Sequence, residues 1–437
     1  MKWEWRSSRT VVLALAMAAF VLFCVTPVAY MIGTALAGVR GNQIGATLLL
    51  DVRQRSLLYN TALLGVGTAI LSTLIGAPLG FALARIPIRF KPALRLALAA
   101  PALWPPYVVA VAWTLFAPGE WTFSLAGAVV VLALVFYPLS MLTTEVAVRR
   151  VEPRLEEAAL LVARPGRVLT RITLPLVAPS TVAAALVILV LAVSEFGVPG
   201  VLRVRVFTTE IFTAFAALYD FGRATVLALP LMLLCVAIAA IAAALGGERV
   251  LTTKRRLDGR SALQLAAWRR PALALAISAI GAAVILPCAV LARDALRTSS
   301  VLSVIEGSQS AVITSLVIAA IAATIATAIA VCLGYARARA RRRAGVATDI
   351  LMIVLFAVPS TVLGIGLIGV WNRPGVLGAV YATPVMLVLA SLGRFVPVAT
   401  LAIAAALRAV PTSHEEAAAV GGARTPLPSW RTRCRHG

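Results

Sequence analysis

The chain has 437 residues, 61% of them hydrophobic and only 13% charged, and its mean hydropathy is +0.96. A soluble domain is roughly half apolar at most, so this composition excludes a chain that folds in water alone. The formal net charge of +23 points to nucleic acid only if the basic residues cluster on a soluble surface, and they do not.

Apolar runs long enough to cross a bilayer, about 20 residues each, are expected at 10–36, 57–84, 96–116, 123–147, 176–199, 224–246, 271–292, 309–336, 347–371 and 376–407. With a cytoplasmic N-terminus, 30 of the 40 Lys and Arg residues fall in the cytoplasmic segments, 9 in the outer loops, and Arg394 inside a span. This is the positive-inside pattern. It assigns the basic character to topology and anionic headgroups. The run at 35–37, Ala-Leu-Ala, mimics a cleavage site, but the apolar stretch before it exceeds the 7–15 residues of a signal core. An uncleaved first helix is expected. Cys24, Cys235, Cys288 and Cys332 fall in expected spans and Cys434 in the tail, with His414 and His436 the sole histidines. No spacing resembles a metal site or a disulfide framework, and no metal or other cofactor is expected to be bound by the chain itself.

Sliding the chain against itself by about 254–259 residues brings out two blocks. The stretch 60–85, NTALLGVGTAILSTLIGAPLGFALAR, lines up with 314–339, TSLVIAAIAATIATAIAVCLGYARAR. Gly80-Phe81-Ala82 then coincides with Gly334-Tyr335-Ala336, Pro101 with Pro359, Trp113 with Trp371, and Phe136-Tyr137-Pro138 with Phe395-Val396-Pro397. Five spans separate equivalent helices, so the repeats run parallel about an axis along the membrane normal. The expected organisation is a first helix and outer loop at 1–56 and a first membrane domain at 57–246. A basic linker, helix and outer loop follow at 247–308, then a second, incomplete domain at 309–424 and a polar tail at 425–437.

Each block carries an acidic, alanine-rich loop. In the first, 156–175, EEAALLVARPGRVLTRITLP, Pro153 can open a helix where a missing N–H costs nothing. Glu156 and Glu157 follow in the first turn, favoured by the helix dipole. Leu155, Ala158, Ala159 and Val162 have the spacing of one apolar helix face. Arg164-Pro165-Gly166 should break that helix, Val168, Leu169 and Ile172 form a second apolar stripe, and Pro175 should end it at the membrane surface. In the second loop, Ser413 and Glu416 have capping-box spacing, with Ala417, Ala418 and Ala419 following and Gly421-Gly422 as the break. Both loops are expected to present a small-residue face with flanking acids to the cytoplasm, where a partner can approach the backbone closely.

These residues resemble the Glu-Ala-Ala loop of permease subunits of ATP-binding-cassette importers. Glu157-Ala158-Ala159 and Ile172-Thr173-Leu174-Pro175 match the family pattern, and Ala163 stands where the family usually has Gly. In the second copy Glu416-Ala417-Ala418 and Gly422 match after Glu415, and no Leu-Pro ending follows. The segments SEFGVP at 194–199 and FTTEIFTAFAALYDFGRAT at 207–225 are similar to fused two-repeat permeases of the iron(III), thiamine and phosphonate type. The resemblance implies an all-α, polytopic helical bundle in a bacterial inner membrane, in which the loop docks in a groove of a cytoplasmic ATPase dimer. An extracytoplasmic solute-binding protein is the second implied partner. The chain has no Gly-x-x-x-x-Gly-Lys-Ser/Thr phosphate loop, so ATP would be hydrolysed by another subunit, and the chain would perform no covalent chemistry. Its cargo stays open among ferric ion, a thiamine-like solute, phosphonate and polyamine.

Isolated ionisable groups at membrane depth often mark a pathway. Glu145 lies near a cytoplasmic end, where snorkelling is expected. Glu195, beside Phe196-Gly197, and Arg394, which pairs with an acid or lines a wet cavity, are pathway candidates. Trp104-Pro105-Pro106 reads as a kink with an interfacial aromatic anchor. After Glu416 the chain has 21 residues and an Arg- and Pro-rich tail, where the first block adds two more spans. The expectation is a frameshift or truncation of a twelve-span relative, set against a natural ten-span form. The rival function is a secondary transporter of two parallel six-helix halves driven by an ion gradient. It calls for mid-membrane acids or histidines and gives no reason for paired loops.

Overall fold

A computed structural model describes residues 2–40, 52–88, 90–246, 268–298, 301–340 and 342–408. Among them there is no strand. The helices used below are α1 (Val11–Ala37), α2 (Val52–Arg85), α3 (Lys91–Leu103), α4 (Pro106–Phe116), α5 (Leu125–Arg150), α6 (Pro153–Leu160), α7 (Pro165–Val193), α8 (Gly197–Val201) and α9 (Phe207–Phe212). They continue with α10 (Phe221–Ile241), α11 (Arg269–Arg297), α12 (Glu306–Ala338), α13 (Ala344–Ala357), α14 (Ser360–Trp371), α15 (Val376–Tyr381) and α16 (Val385–Arg408). Eight of these are long and apolar enough to cross a membrane, or up to ten with the bent pairs α3/α4 and α13/α14 each taken as one span. The chain is a polytopic all-α membrane protein.

Helix α2 shows how a membrane helix sorts its faces. Thr61, Leu64, Gly65, Thr68, Ser72, Gly76, Leu79 and Gly80 are buried, while Tyr59, Leu63, Ile70 and Leu74 are exposed. The buried face mixes leucines with the small and hydroxyl-bearing residues, and where the small ones lie the backbones can approach. Gly76 and Gly80, four residues apart, make that approach on α5. A Cβ on Gly76 would stand 2.4 Å from the Tyr137 carbonyl oxygen, and one on Gly80 would stand 2.2 Å from that of Met141. The second block repeats the contact more loosely. Gly80 packs beside Thr144 and Glu145, and Gly334 on α12 packs beside Ile403 and Ala404 of α16, which are the equivalent positions at an offset of 259.

Proline shapes the spans in two ways. Of the four π turns among the described residues, Val21–Val25, Leu169–Thr173 and Gly281–Ile285 each end two residues before a proline, Pro27, Pro175 and Pro287, whereas Thr213–Ala217 does not, and Pro78, Pro138, Pro230 and Pro397 lie in regular α-helix. Proline lacks the N–H of the regular helix and its ring crowds the carbonyl four residues back; a π turn relieves that crowding without ending the helix. The second way is a full break. The expected spans 96–116 and 347–371 are each bent, by 93° and 92°. Trp104 before Pro105 is extended at ψ 143°, as residues preceding proline are driven to be; Pro105 and Pro359 are both extended caps of the helices that follow. Structurally, then, Pro359 takes the place of Pro105. The sequence pairing of Pro359 with Pro101 is corrected by four residues, since Pro101 sits within the 3-10 turn Ala100–Leu103. Trp113 likewise lies inside α4 whereas Trp371 ends α14. The expected span 376–407 is also divided, into α15 and α16.

The chain forms two compact units. One comprises residues 45–220 and 233–305, the other 1–44, 221–232 and 306–437. The first holds the α2–α9 block together with α11, whose Ala276, Ala279 and Ala283 share a core with Leu79, Leu83, Leu98, Tyr137 and Met141. The second holds the α12–α16 block together with α1. There the Cys24 thiol donates to the Leu392 carbonyl at 3.7 Å, and Gly366 and Gly393 sit against the backbone at Pro27 and Phe23. Each block is therefore completed by a helix from the far side of the sequence.

Candidate functional site

The acidic loop joins α5 to α7. Arg149 and Arg150 close α5, Val151 and Glu152 are extended, and Pro153 is the first residue of α6, as its fixed φ and missing N–H favour. Adjacent residues on a helix point about 100° apart, and this separates the two acids. Glu156 is fully buried, while Glu157 and Ala158 are exposed and Ala159 is half-buried. The expected pair of flanking acids is thus one inward strut and one outward charge.

The Glu156 strut is specific. Its Oε1 accepts from Arg85 Nη2 at 2.8 Å and from Thr173 Oγ1 at 2.8 Å. The same Arg85 nitrogen donates to the Val148 carbonyl at 3.1 Å. One carboxylate oxygen therefore joins α6 to the end of α2 and the π turn of α7, and Arg85 in turn reaches the end of α5. Val148, Val151 and Val177 form a small apolar core below it, with Phe81, Ala84 and Ala147 packed against them.

Helix α6 stops at Leu160, short of Val162, which the apolar spacing had placed on its face. Leu161 and Val162 instead form a turn and are each 86% exposed. The Ala163 N–H bonds to the Ala159 carbonyl at 2.9 Å. Ala163 is not among the residues with positive φ, so alanine serves here without strain where glycine was expected. Arg164 is extended and Pro165 begins α7. Pro175 does not end a helix, contrary to the sequence reading; it lies within α7, just beyond the π turn, which absorbs it. Ile172 is half-buried, and Leu174 and Pro175 are exposed. The second loop, with Glu415, Glu416, Ala417, Ala418, Gly421 and Gly422, lies outside the described residues.

Of the isolated charges, Glu145 is buried rather than snorkelling. Its Oε1 accepts from Arg149 at 2.7 and 3.0 Å and from Arg95 of α3. Glu195 sits in the break between α7 and α8, where its Oε1 accepts the Gly197 N–H at 2.9 Å. It borders an open cleft of about 570 Å³ with Pro106, Tyr107, Phe196, Gly197, Gly200 and Val201. Arg394 of α16 lies beside the α13/α14 bend. Its Nη1 donates to the carbonyls of Phe356 and Val358, both at 2.8 Å, with the guanidinium over the Phe356 ring at 4.9 Å. It thus satisfies the backbone freed by the α13/α14 bend. The α3/α4 bend uses a 3-10 turn instead, with the Trp104 N–H on the Pro101 carbonyl. Sequence reading gave no role to Arg85 or Arg95, and named Thr173 only as part of a motif, not as a partner of Glu156. Arg85 was readable only as a basic end of a span, and nothing local links it to Glu156, 71 residues away.

Comparison with known proteins gives two matches. Residues 326–436 match the family described as the binding-protein-dependent transport system inner membrane component. The chain is also 27% identical over 207 residues to the Fe(3+)-transport system permease protein FbpB 2 of Haemophilus influenzae, a match covering 46% of this chain and 40% of that protein. The chain thus spans less than half of the curated relative it matches. Both matches agree with the resemblance carried by the Glu-Ala-Ala residues: the chain is similar to inner-membrane permeases of binding-protein-dependent importers, and its many apolar helices are those of a multi-pass membrane protein.

Proposed function

We propose, from that likeness, that this chain is the membrane-spanning permease of an ATP-driven solute importer, coupled to a separate cytoplasmic ATPase and fed by an extracytoplasmic solute-binding protein. The observation that carries the reading is the division of labour in the 152–173 loop. Glu156 is buried and ties the loop to α2 and α7 directly and to α5 through Arg85, while Glu157, Ala158, Leu161 and Val162 are exposed. Apolar side chains left in water at the tip of a loop favour a protein partner. A loop tied to α2, α5 and α7 can pass a push from that partner to all three. The N-terminus and the loop would both lie in the cytoplasm, and ATP would act only through the partner.

The cargo proposed is ferric iron or a solute of the same transport class, by analogy with the Haemophilus permease. Glu195, at the mouth of its cleft, is the residue we assign to the pathway; Arg394 is assigned to the bend. Reconstitution with the ATPase and the solute-binding protein in proteoliposomes tests the reading. Uptake of labelled ferric iron should require both partners and ATP. Uptake that follows an ion gradient without the ATPase would contradict it.

A further inference from the structure

The loop side of the α2–α9 block carries a cationic cluster that its own acid does not balance. Arg95 of α3 and Arg149 of α5 converge on the same Glu145 oxygen. Lys91 lies within electrostatic reach of Arg149, Arg95 and Glu145, and it makes no hydrogen bond or ion pair among the described residues. Three cations thus surround one carboxylate. Lys91 and Arg95, four residues apart, share a helix face. Their side chains are accessible: Lys91 is half-buried, and Arg95 and Arg149 are 42% and 37% exposed.

A second observation lies on the same helix. Phe90 adopts a left-handed φ of 57° immediately before α3 and is exposed, as are Leu96 and Leu103. At 1.5 Å per residue, Leu96 and Leu103 stand about 8 and about 18 Å along the helix from Lys91. Helix α3 therefore offers a cationic start and, further along and about a quarter to a third of a turn round it, two exposed leucines.

We propose that Lys91, Arg95 and Arg149 bind the phosphate of an anionic phospholipid, with an acyl chain lying along Leu96 and Leu103. Basic clefts between spans at the membrane surface suit such headgroups. The exposed leucines favour a lipid over a free anion, which would have no use for them. The site is independent of the transport reading and needs only the membrane setting of α3 and α5.

Native mass spectrometry of the full chain, released from mixed phosphatidylglycerol and phosphatidylcholine, tests the proposal. One phosphatidylglycerol should be retained in preference to phosphatidylcholine. Lys91→Gln should lower its occupancy about fivefold, the weight of one cation near the surface. Because removing Arg95 and Arg149 alone would strand Glu145, the second variant is Arg95→Gln/Glu145→Gln/Arg149→Gln, which keeps the cleft uncharged and should lose retention at least as far. Arg154→Gln/Arg167→Gln/Arg171→Gln, which removes three exposed charges on the same side, should leave it unchanged. Equal retention of the two lipids, retention unaltered in both cluster variants, or displacement by millimolar inorganic phosphate would each overturn the assignment.

Discussion

Arg85 and Glu156 meet at 2.8 Å with side chains 6% and 0% exposed, joining the end of a membrane-spanning helix to the middle of a surface loop. Losing one partner of a buried pair leaves the other charge uncompensated, at about 3–5 kcal/mol, whereas replacing both by apolar groups is often nearly neutral. Glu156→Ala should therefore lower the thermal unfolding midpoint well beyond Arg85→Met/Glu156→Leu. The double variant should fold yet transport poorly, because the loop would no longer be tied by charge to α2. A double variant as unstable as the single one would deny the pair this role.

The two glycine contacts should respond differently. On Gly80 an added methyl meets a backbone oxygen at 2.2 Å, which cannot yield without parting α2 from α5; on Gly334 it meets Ile403 Cγ2 at 2.9 Å, with Ile403 Cβ at 3.1 Å and the Ala404 nitrogen at 3.2 Å, a looser contact that needs a smaller shift. Gly80→Ala should cost about 1–3 kcal/mol as an overpacked contact, and Gly334→Ala distinctly less. Unfolding midpoints of the two variants in the same detergent decide it.

Arg394 supplies a third test. Arg394→Leu strands the carbonyls of Phe356 and Val358 at the α13/α14 bend, at about 1–3 kcal/mol for each buried group left unsatisfied. Arg394→Lys keeps a donor and should recover part of that loss. Were Arg394 instead part of the solute pathway, the leucine variant would lose transport with its stability intact. Comparing uptake with unfolding midpoint separates the two.

The exposed cleft at Glu195 predicts the reverse pattern. Glu195→Gln keeps an acceptor for the Gly197 N–H and should leave stability within about 0.5 kcal/mol, as surface-like substitutions do. Uptake of a cationic solute should fall in this variant if the residue lies on the pathway. Unchanged uptake would remove it from consideration.

Much of this fold was legible from the chain. Length and hydropathy located the spans, two of which are bent near 90°. What was not legible arose from long-range packing. Nothing near Glu156 tells it from Glu157 until Arg85 and Thr173 are brought to it. Nothing near Arg394 announces a bend 36–38 residues earlier. Pro175 misled for a local reason: proline usually ends a helix, and the π turn that tolerates it has no residue signature of its own.

The central claim is that the outward edge of the loop docks an ATPase while Glu156 anchors it from within. Co-purification of the cognate ATP-binding subunit with Leu161→Asp/Val162→Asp tests it most directly, since both side chains are 86% exposed and their replacement should not disturb folding. The account predicts at least a tenfold loss of captured ATPase with an unchanged unfolding midpoint. Full capture by the double aspartate variant would contradict it.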